Sequence, residues 1–406
     1  MTGQDFSKVQ LNILRIGDSM KRILLPPSKI GIIGGGQLGR MFALEAKRMG
    51  YIVYVLDPKE NSPAGQVSDE QIVSGFDDFG ALLELARKTD VITYEFEHIN
   101  AEHLTKLKNM GYKIYPSPET LIKIQNKYIQ KKHLIKFNLP VPRFERIESY
   151  YDLVSKADDF KFPFMIKFAK GGYDGKGNIK IENHEDILNL KNLKFEEEIF
   201  MEEFVDFRNE ISIIVCKNEQ GEFKNYRAFE NVHEDNILRI TKCPARIGEE
   251  VEKKAVSIAN KVVESFCDFG VFCVEMFVDK YDEILINEIA PRPHNSGHLT
   301  IEACFTSQFE NHLRSITNLP LGSTELIKNA IMINILGDKK IDGKYTIENL
   351  GEILKMDGVF FHFYGKSFVD KKKKVGHITI IDDDETRLEA KKNYIINNLK
   401  IGEFYE

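Results

Sequence analysis

Phe164-Met165-Ile166-Lys167-Phe168, closely followed by Gly171-Gly172-Tyr173-Asp174-Gly175-Lys176-Gly177-Asn178, is the stretch that decides how this chain is read. The first five residues are a short apolar strand interrupted by one lysine, and the next eight form a loop too rich in glycine to be helix or strand. A lysine fixed on a strand supplies charge for phosphate groups, and a mobile glycine backbone beyond it can close over them. The arrangement suits a nucleoside triphosphate, with 171–178 as a lid. The rival is an exposed hairpin without a ligand, and Tyr173, Asp174 and Lys176 set among the glycines weigh against it.

Further along, Glu275 and Glu288 stand in two apolar runs, Val274-Glu275-Met276-Phe277-Val278 and Ile286-Asn287-Glu288-Ile289-Ala290. An ionised carboxylate in such a strand is expensive to desolvate unless it has a partner. A divalent cation with oxygen ligands is one partner, and a buried lysine or arginine is the other. The irregular segment Ala290-Pro291-Arg292-Pro293-His294-Asn295-Ser296-Gly297-His298 follows, with a composition more typical of function than of packing. Its histidines lack the ligand spacing of a zinc site and are read as hydrogen-bonding groups.

Upstream, Lys29 to Ile33 is a strand, Gly34-Gly35-Gly36-Gln37-Leu38-Gly39 a tight turn and Arg40 to Met49 a helix. Gly34, Gly36 and Gly39 satisfy GxGxxG, which points to a phosphate seat at a helix N-terminus, or to a turn needed only for strand–helix packing. Gln37 and Arg40, both donors, favour the ligand. Asp57, ending the next strand at Tyr51 to Leu56, mimics the ribose anchor of a dinucleotide fold, so an NAD-dependent oxidoreductase is a competing reading.

The chain has 406 residues, enough for about three domains. Residues 1–28 read as an extension of unknown role, with Met20 a second candidate start. Residues 29–117 alternate strand and helix, which implies a parallel sheet covered by helices. The prolines of Tyr115-Pro116-Ser117-Pro118 close that unit. Residues 118–325 begin with a basic helix over Glu119 to Phe137. They continue as α+β with a largely antiparallel sheet, including strands at Ile211 to Val215, Val271 to Val278 and Ile284 to Ile289 and a helix at Glu249 to Cys267. Residues 326–406 form a small C-terminal domain with strands at Ile331 to Leu336, Gly358 to Tyr364 and His377 to Ile381.

Lys and Arg number 56 against 62 Asp and Glu, 56 − 62 = −6, so no basic field calls for nucleic acid. No apolar run approaches the ~18 residues of a membrane span. Five scattered cysteines without a CxxC pair imply neither a disulfide framework nor a zinc knuckle, and fit a reducing, cytoplasmic setting.

Gly34 to Arg40, Lys167 with Gly171 to Asn178, Asn287 to His298 and Lys374-Val375-Gly376-His377 together resemble the ATP-grasp superfamily. Within it they are most similar to the 5-(carboxyamino)imidazole ribonucleotide synthases. The likeness runs from about Lys29 almost to the C-terminus. It implies an ATP-grasp fold with a Rossmann-like N-terminal domain, and bicarbonate-dependent carboxylation of aminoimidazole ribonucleotide through carboxyphosphate. It also implies ATP as co-substrate, Mg2+ or Mn2+ as cofactor, and a homodimer. By the same resemblance Lys127 and Lys167 hold ATP phosphates, Glu202 to Val205 form the hinge receiving adenine, Glu210 binds ribose, and Asn287 belongs to the ATP site. Glu275 and Glu288 carry the metal. Tyr173, Asp174, Arg292 and Lys366 are the catalytic candidates, with Gln37, Asn295, Lys373 and Lys374 around the acceptor nucleotide. Lys373 stands where the family often has arginine, which puts bidentate phosphate binding there in question. A formate-dependent glycinamide ribonucleotide transformylase is the rival within the superfamily, although its lid is serine-rich. A biotin carboxylase leaves the Lys-Val-Gly-His run unexplained.

Overall fold

The computed structural model describes residues 23–171, 177–193, 195, 198–337, 343–369 and 373–403. The chain enters through strand β1 (Lys29–Ile33), helix α1 (Gln37–Arg48), β2 (Ile52–Asp57), β3 (Glu70–Val73), α2 (Phe79–Lys88), β4 (Val91–Tyr94) and α3 (Ala101–Asn109). The strands make a four-stranded parallel sheet in the order β3-β2-β1-β4. β1 is apolar from Ile30 onward because helices cover both of its faces. On one face Met41, Phe42 and Ala46 of α1 share a core with Phe309, Leu313 and Ile316 from far along the chain, which fastens this unit to the rest. Just before β1, the Leu24 amide donates to the Thr317 carbonyl, and Tyr51 Oη donates to the Leu24 carbonyl. The end of the expected extension is therefore tied to the fold, while residues 1–22 lie outside the described residues.

The basic helix expected over Glu119 to Phe137 is two helices, α4 (Pro118–Gln125) and α5 (Lys127–Lys136). Asn126 breaks it with φ −107° and ψ 106°, and its side chain caps α5 by accepting from the Ile129 amide. Its Nδ2 donates to Glu198 2.6 Å away. Asparagine offers the backbone such alternatives to helix, and the periodic basic pattern conceals the break.

β5 (Phe144–Ile147), α6 (Tyr150–Phe160), β6 (Phe164–Phe168), β7 (Asn178–Ile181), α7 (His184–Leu188) and β8 (Ile199–Glu203) build a lobe with an antiparallel sheet ordered β5-β8-β6-β7. β9 (Phe207–Lys217), β10 (Phe223–Asn225), β11 (Phe229–Glu234), β12 (Ile237–Cys243), α8 (Glu249–Phe266), β13 (Gly270–Asp279) and β14 (Ile284–Ala290) follow, then α9 (Thr300–Ala303) and α10 (Gln308–Ile316). The last segment holds β15 (Asn329–Leu336), β16 (Tyr345–Glu348), α11 (Leu350–Ile353), β17 (Val359–Phe363), β18 (Lys374–Asp382), α12 (Glu385–Asn398) and β19 (Lys400–Glu403).

Its strands do not stand apart. β12 pairs antiparallel with β15, Cys243 opposite Ala330 and Ile240 opposite Ile333. One sheet therefore runs β14-β13-β9-β11-β12-β15-β18-β17, carrying Lys374 and Glu275 on a common framework. Among the described residues no helix is long and apolar enough to cross a membrane.

Candidate active site

A cleft of about 490 Å3 lies where the β5–β8 lobe, the ends of β13 and β14, and the start of α1 meet. Its cationic wall begins with Lys127, the first residue of α5, fixed because its amide donates to the Ala169 carbonyl at 2.8 Å. Lys127 Nζ donates to Glu288 Oε2 at 2.9 Å. Lys167 on β6 and Lys131 on α5 both pair with the Glu202 carboxylate, Lys131 at 2.5 Å. Glu202 and Lys131 are each 2% exposed. Burial opposes ionisation of Glu202, but the two ammonium groups hold its carboxyl below the usual range. Burial likewise lowers Lys131, with Glu202 pulling the other way. The Glu202 side chain thus holds lysines in place, and Glu203, Phe204 and Val205 line the cleft beside it.

The anionic wall is Glu275 directly opposite Glu288 across β13 and β14. Burial, then the negative charges of Glu210 and Glu288, push Glu275 up to about 8. Glu288 is pulled down against its burial by Lys127. Both readings of these carboxylates are therefore partly realised: Glu288 has an ion pair, whereas Glu275 faces two other carboxylates and the neutral ring of His294. Asn287 Oδ1 lies 3.5 Å from Lys167 Nζ. Glu275, Glu288 and Asn287 offer hard oxygen donors around like charge, which fits Mg2+ or Mn2+. Glu210 pairs with His233 Nδ1 at 3.0 Å, and Glu210 raises this imidazole's pKa against its burial.

A third group faces the cleft from the other side. Arg292 is clamped by Glu97, with Nη2 2.8 Å from Oε1 and 2.9 Å from Oε2. Gln37 and Lys374 also line the cleft. Asn295 reaches it too, but its amide exchanges two hydrogen bonds with buried Asn334, at 2.7 and 3.3 Å. Lys366 lies behind: its Nζ donates to the Lys374 carbonyl at 2.7 Å, and burial followed by Lys373 lowers its pKa to about 8. The Lys373 carbonyl accepts from the Gly337 amide. Tyr173 and Asp174, with the lid from 172 to 176, lie outside the described residues.

The first glycine loop is not a phosphate seat. The carboxylate of Glu95, just past β4, accepts from the Gly36 amide and, at 2.6 Å, from the Gly39 amide, while Asp57 accepts from the Gly35 amide at 2.7 Å. A Cβ on Gly36 would sit 2.4 Å from Glu95 Oε1, and one on Gly39 would sit 2.7 Å from the Gly34 carbonyl oxygen. The glycines admit a carboxylate of the protein itself, and an anionic pyrophosphate has no place beside it. Arg40, expected to favour a ligand, instead donates to the Pro63 carbonyl at 2.8 Å. Sequence reasoning missed Glu95, Glu97, Lys131 and His233. Only Lys131 left a signal, four residues after Lys127 on the same helix face.

Three family models match successive parts of the chain: a ribonucleotide synthetase preATP-grasp domain over 28–125, an ATP-grasp domain over 132–309, and a phosphoribosylaminoimidazole carboxylase C-terminal domain over 330–391. N5-carboxyaminoimidazole ribonucleotide synthase of Bacillus subtilis is 39% identical over 90% of this chain and 94% of its own length. Phosphoribosylaminoimidazole carboxylase of Saccharomyces cerevisiae is 40% identical over 92% of this chain, which spans 66% of that longer protein. The crystal structure of N5-carboxyaminoimidazole ribonucleotide synthetase from Thermotoga maritima superimposes with a TM-score of 0.85 at 47% identity, over 93% of this chain and all 100% of that one. An Aspergillus clavatus N5-carboxyaminoimidazole synthase, solved with ADP and 5-aminoimidazole ribonucleotide, gives 0.84 at 34% identity over 91% of this chain and 98% of that one. With cation wall, paired carboxylates and a Glu97-clamped arginine in one cleft, and with these likenesses along almost its whole length, the chain belongs to the N5-carboxyaminoimidazole ribonucleotide synthase family of ATP-grasp ligases.

Proposed function

We propose that this ligase carboxylates 5-aminoimidazole ribonucleotide with bicarbonate and ATP, giving 5-carboxyaminoimidazole ribonucleotide, ADP and phosphate in purine biosynthesis. The observation that carries the reading is the cleft itself, where Lys127 and Lys167 face Glu275 and Glu288 at one end and Glu97-clamped Arg292 stands at the other. Lys127 and Lys167 hold the phosphates, the 203–205 hinge receives adenine and Glu210 takes the ribose. Glu275 and Glu288, with Asn287 beside them, hold Mg2+ or Mn2+, which neutralises phosphate charge when bound.

A bicarbonate oxygen attacks the γ-phosphorus, the bond to ADP breaks, and carboxyphosphate forms. The exocyclic amine of the acceptor then takes the carboxyl carbon, directly or as sheltered CO2; phosphate leaves and the amine gives up a proton. Arg292, Lys374 and Gln37 bind the acceptor, with Lys366 supporting Lys374. Asn295 shapes the loop that carries Arg292. Lys373 contributes charge where the family often uses arginine. Tyr173 and Asp174 close with the lid over the labile intermediate, Asp174 orienting the amine or accepting its proton.

The division at 117/118 and 325/326, a homodimer and residence in the cytoplasm belong to the same reading. The relatives named above favour carboxylation over formyl transfer, and the Glu95 and Asp57 contacts in the glycine loop speak against NAD. The test is ADP release with aminoimidazole ribonucleotide, with and without bicarbonate. Bicarbonate-dependent ADP release matched by carboxylated product is expected. Formate-dependent release, or micromolar NAD binding without nucleotide binding, would overturn the reading.

A further inference from the structure

Behind Glu275 runs a chain of buried polar groups that the reaction above does not use. Strands β9, β11 and β12 bring Ser212, Asn231 and Thr241 side by side, and the loop after β14 adds Ser296; all four are at most 5% exposed. Thr241 Oγ1 donates to Asn231 Oδ1 at 3.1 Å, and Asn231 Nδ2 donates to Ser212 Oγ at 3.0 Å. Ser212 Oγ donates to Ser296 Oγ at 2.9 Å, and Ser296 Oγ lies 2.9 Å from His294 Nδ1. The Ser296 backbone amide also points at that Nδ1, at 3.4 Å.

The direction of the chain follows from the groups that can only donate. The amide nitrogen of Asn231 gives its hydrogen to Ser212, so the Ser212 hydroxyl turns its own hydrogen toward Ser296. Ser296, already accepting, has two further contacts, His294 Nδ1 at 2.9 Å and Cys273 Sγ at 3.9 Å, and turns its hydrogen toward the nearer and stronger acceptor, His294. The Ser296 backbone N–H arrives at the same ring nitrogen. Two donors on Nδ1 require a lone pair there, which places the ring hydrogen on Nε2. Nε2 lies 3.3 Å from Glu275 Oε1.

We propose that the Thr241–Asn231–Ser212–Ser296 chain fixes His294 as its Nε2–H tautomer, making Ser212 and Ser296 positioning residues for the N–H that His294 turns toward Glu275 and the acceptor side of the cleft. This tautomer also settles a second question. The donor atoms of Cys273, Glu275 and His294 lie within 4.8 Å of one another, a set that a thiophilic cation would suit. With the proton on Nε2, the His294 nitrogen that faces Glu275 has no lone pair to give a cation.

The kinetic part of the proposal rests on the carboxylation reading, but the tautomer does not, so the two are measured separately. Full-length protein labelled with 15N at histidine, its His294 signals assigned by their loss in His294→Asn, should show the Nε2–H pattern in long-range 1H–15N correlations without any ligand. Ser296→Ala should shift His294 toward Nδ1–H. It should also raise KM for aminoimidazole ribonucleotide about 10-fold, the range typical of removing an orienting partner, with little change in KM for ATP. Should Ser296→Ala fail to fold, Ser212→Ala carries the test, giving a mixture of tautomers. An Nδ1–H pattern in the wild type, or an unchanged pattern in a folded variant, would overturn the proposal. Cd2+ binding with a thiolate absorption that Cys273→Ser removes would overturn it as well.

Discussion

Replacing Glu202 by glutamine probes the cluster that holds the cationic wall together. The carboxylate lies between Lys131 and Lys167, which are 2% and 8% exposed, so the amide leaves two neighbouring ammonium groups without the charge that balances them, Lys131 out of reach of water and Lys167 at the wall of the cleft. Removing one member of a buried ion pair costs about 3–5 kcal/mol. Proton loss sets a ceiling: shedding the Lys131 proton at pH 7 costs about 1.36 × (10.4 − 7) ≈ 4.6 kcal/mol against an ordinary lysine. A destabilisation of about 4 kcal/mol at pH 7 is therefore expected, shared between tolerated charge and lost proton.

The pH dependence discriminates the cause. In the variant the folded lysine has released a proton that the unfolded chain keeps until about pH 10.4, so the unfolded state binds more protons and stability rises with pH. By pH 9 the ceiling falls to about 1.9 kcal/mol, and the gap to wild type should narrow by up to about 2.7 kcal/mol. Urea unfolding followed by circular dichroism at pH 7 and pH 9 measures both quantities, and MgATP, bringing phosphate charge to Lys167, should stabilise the variant more than the wild type. A loss under about 1 kcal/mol, or the same loss at both pH values, would refute the reasoning.

Glu288→Gln keeps the shape and removes a charge opposite Glu275; bicarbonate-dependent ADP release should fall at least ~100-fold with an unchanged circular dichroism spectrum, and wild-type turnover at ordinary Mg2+ would rule out its metal role. Lys366, lowered to about 8, should lose its charge as pH rises through that value, weakening acceptor binding on the alkaline side. Lys366→Arg stays charged there, so its KM profile should lack that limb, and an identical limb in the variant would dismiss Lys366 as its origin. In Gly39→Ala the new Cβ meets the Gly34 carbonyl oxygen at 2.7 Å, a backbone atom that cannot swing aside, so a loss of about 1–3 kcal/mol is expected and an unchanged Tm would contradict the packing account.

What was legible in the sequence were features written in consecutive residues. Lys-Ile-Gly-Ile-Ile before a glycine turn is a buried parallel strand, and the structure has it as β1. Glu275 and Glu288 stood out because a carboxylate inside an apolar run is costly wherever the strand lies. β3 did not stand out, because Glu-Gln-Ile-Val at a sheet edge has no clear alternation. The break at Asn126 was hidden for a related reason: the residues that stabilise it, Glu198 and Ala169, come from the neighbouring lobe. The pairing of β12 with β15 joins residues about 90 apart, and no local pattern encodes such a partner.

The glycine loop shows how far a motif can be read. GxGxxG specifies a turn whose amides converge, but not what they converge on; that depends on Glu95, which lies 56 residues beyond Gly39. With a carboxylate of the protein itself in that seat, the amides on either side of Gln37 are tied to the end of β4. The loop then no longer receives an anion; it fixes the first residue of α1 at the rim of the cleft, which is where Gln37 is found. The same backbone geometry that holds a phosphate in one protein here sets a side chain at the rim of a cleft, and the difference is a single half-buried acid whose own pKa is raised by burial and drawn back by the two glycine amides.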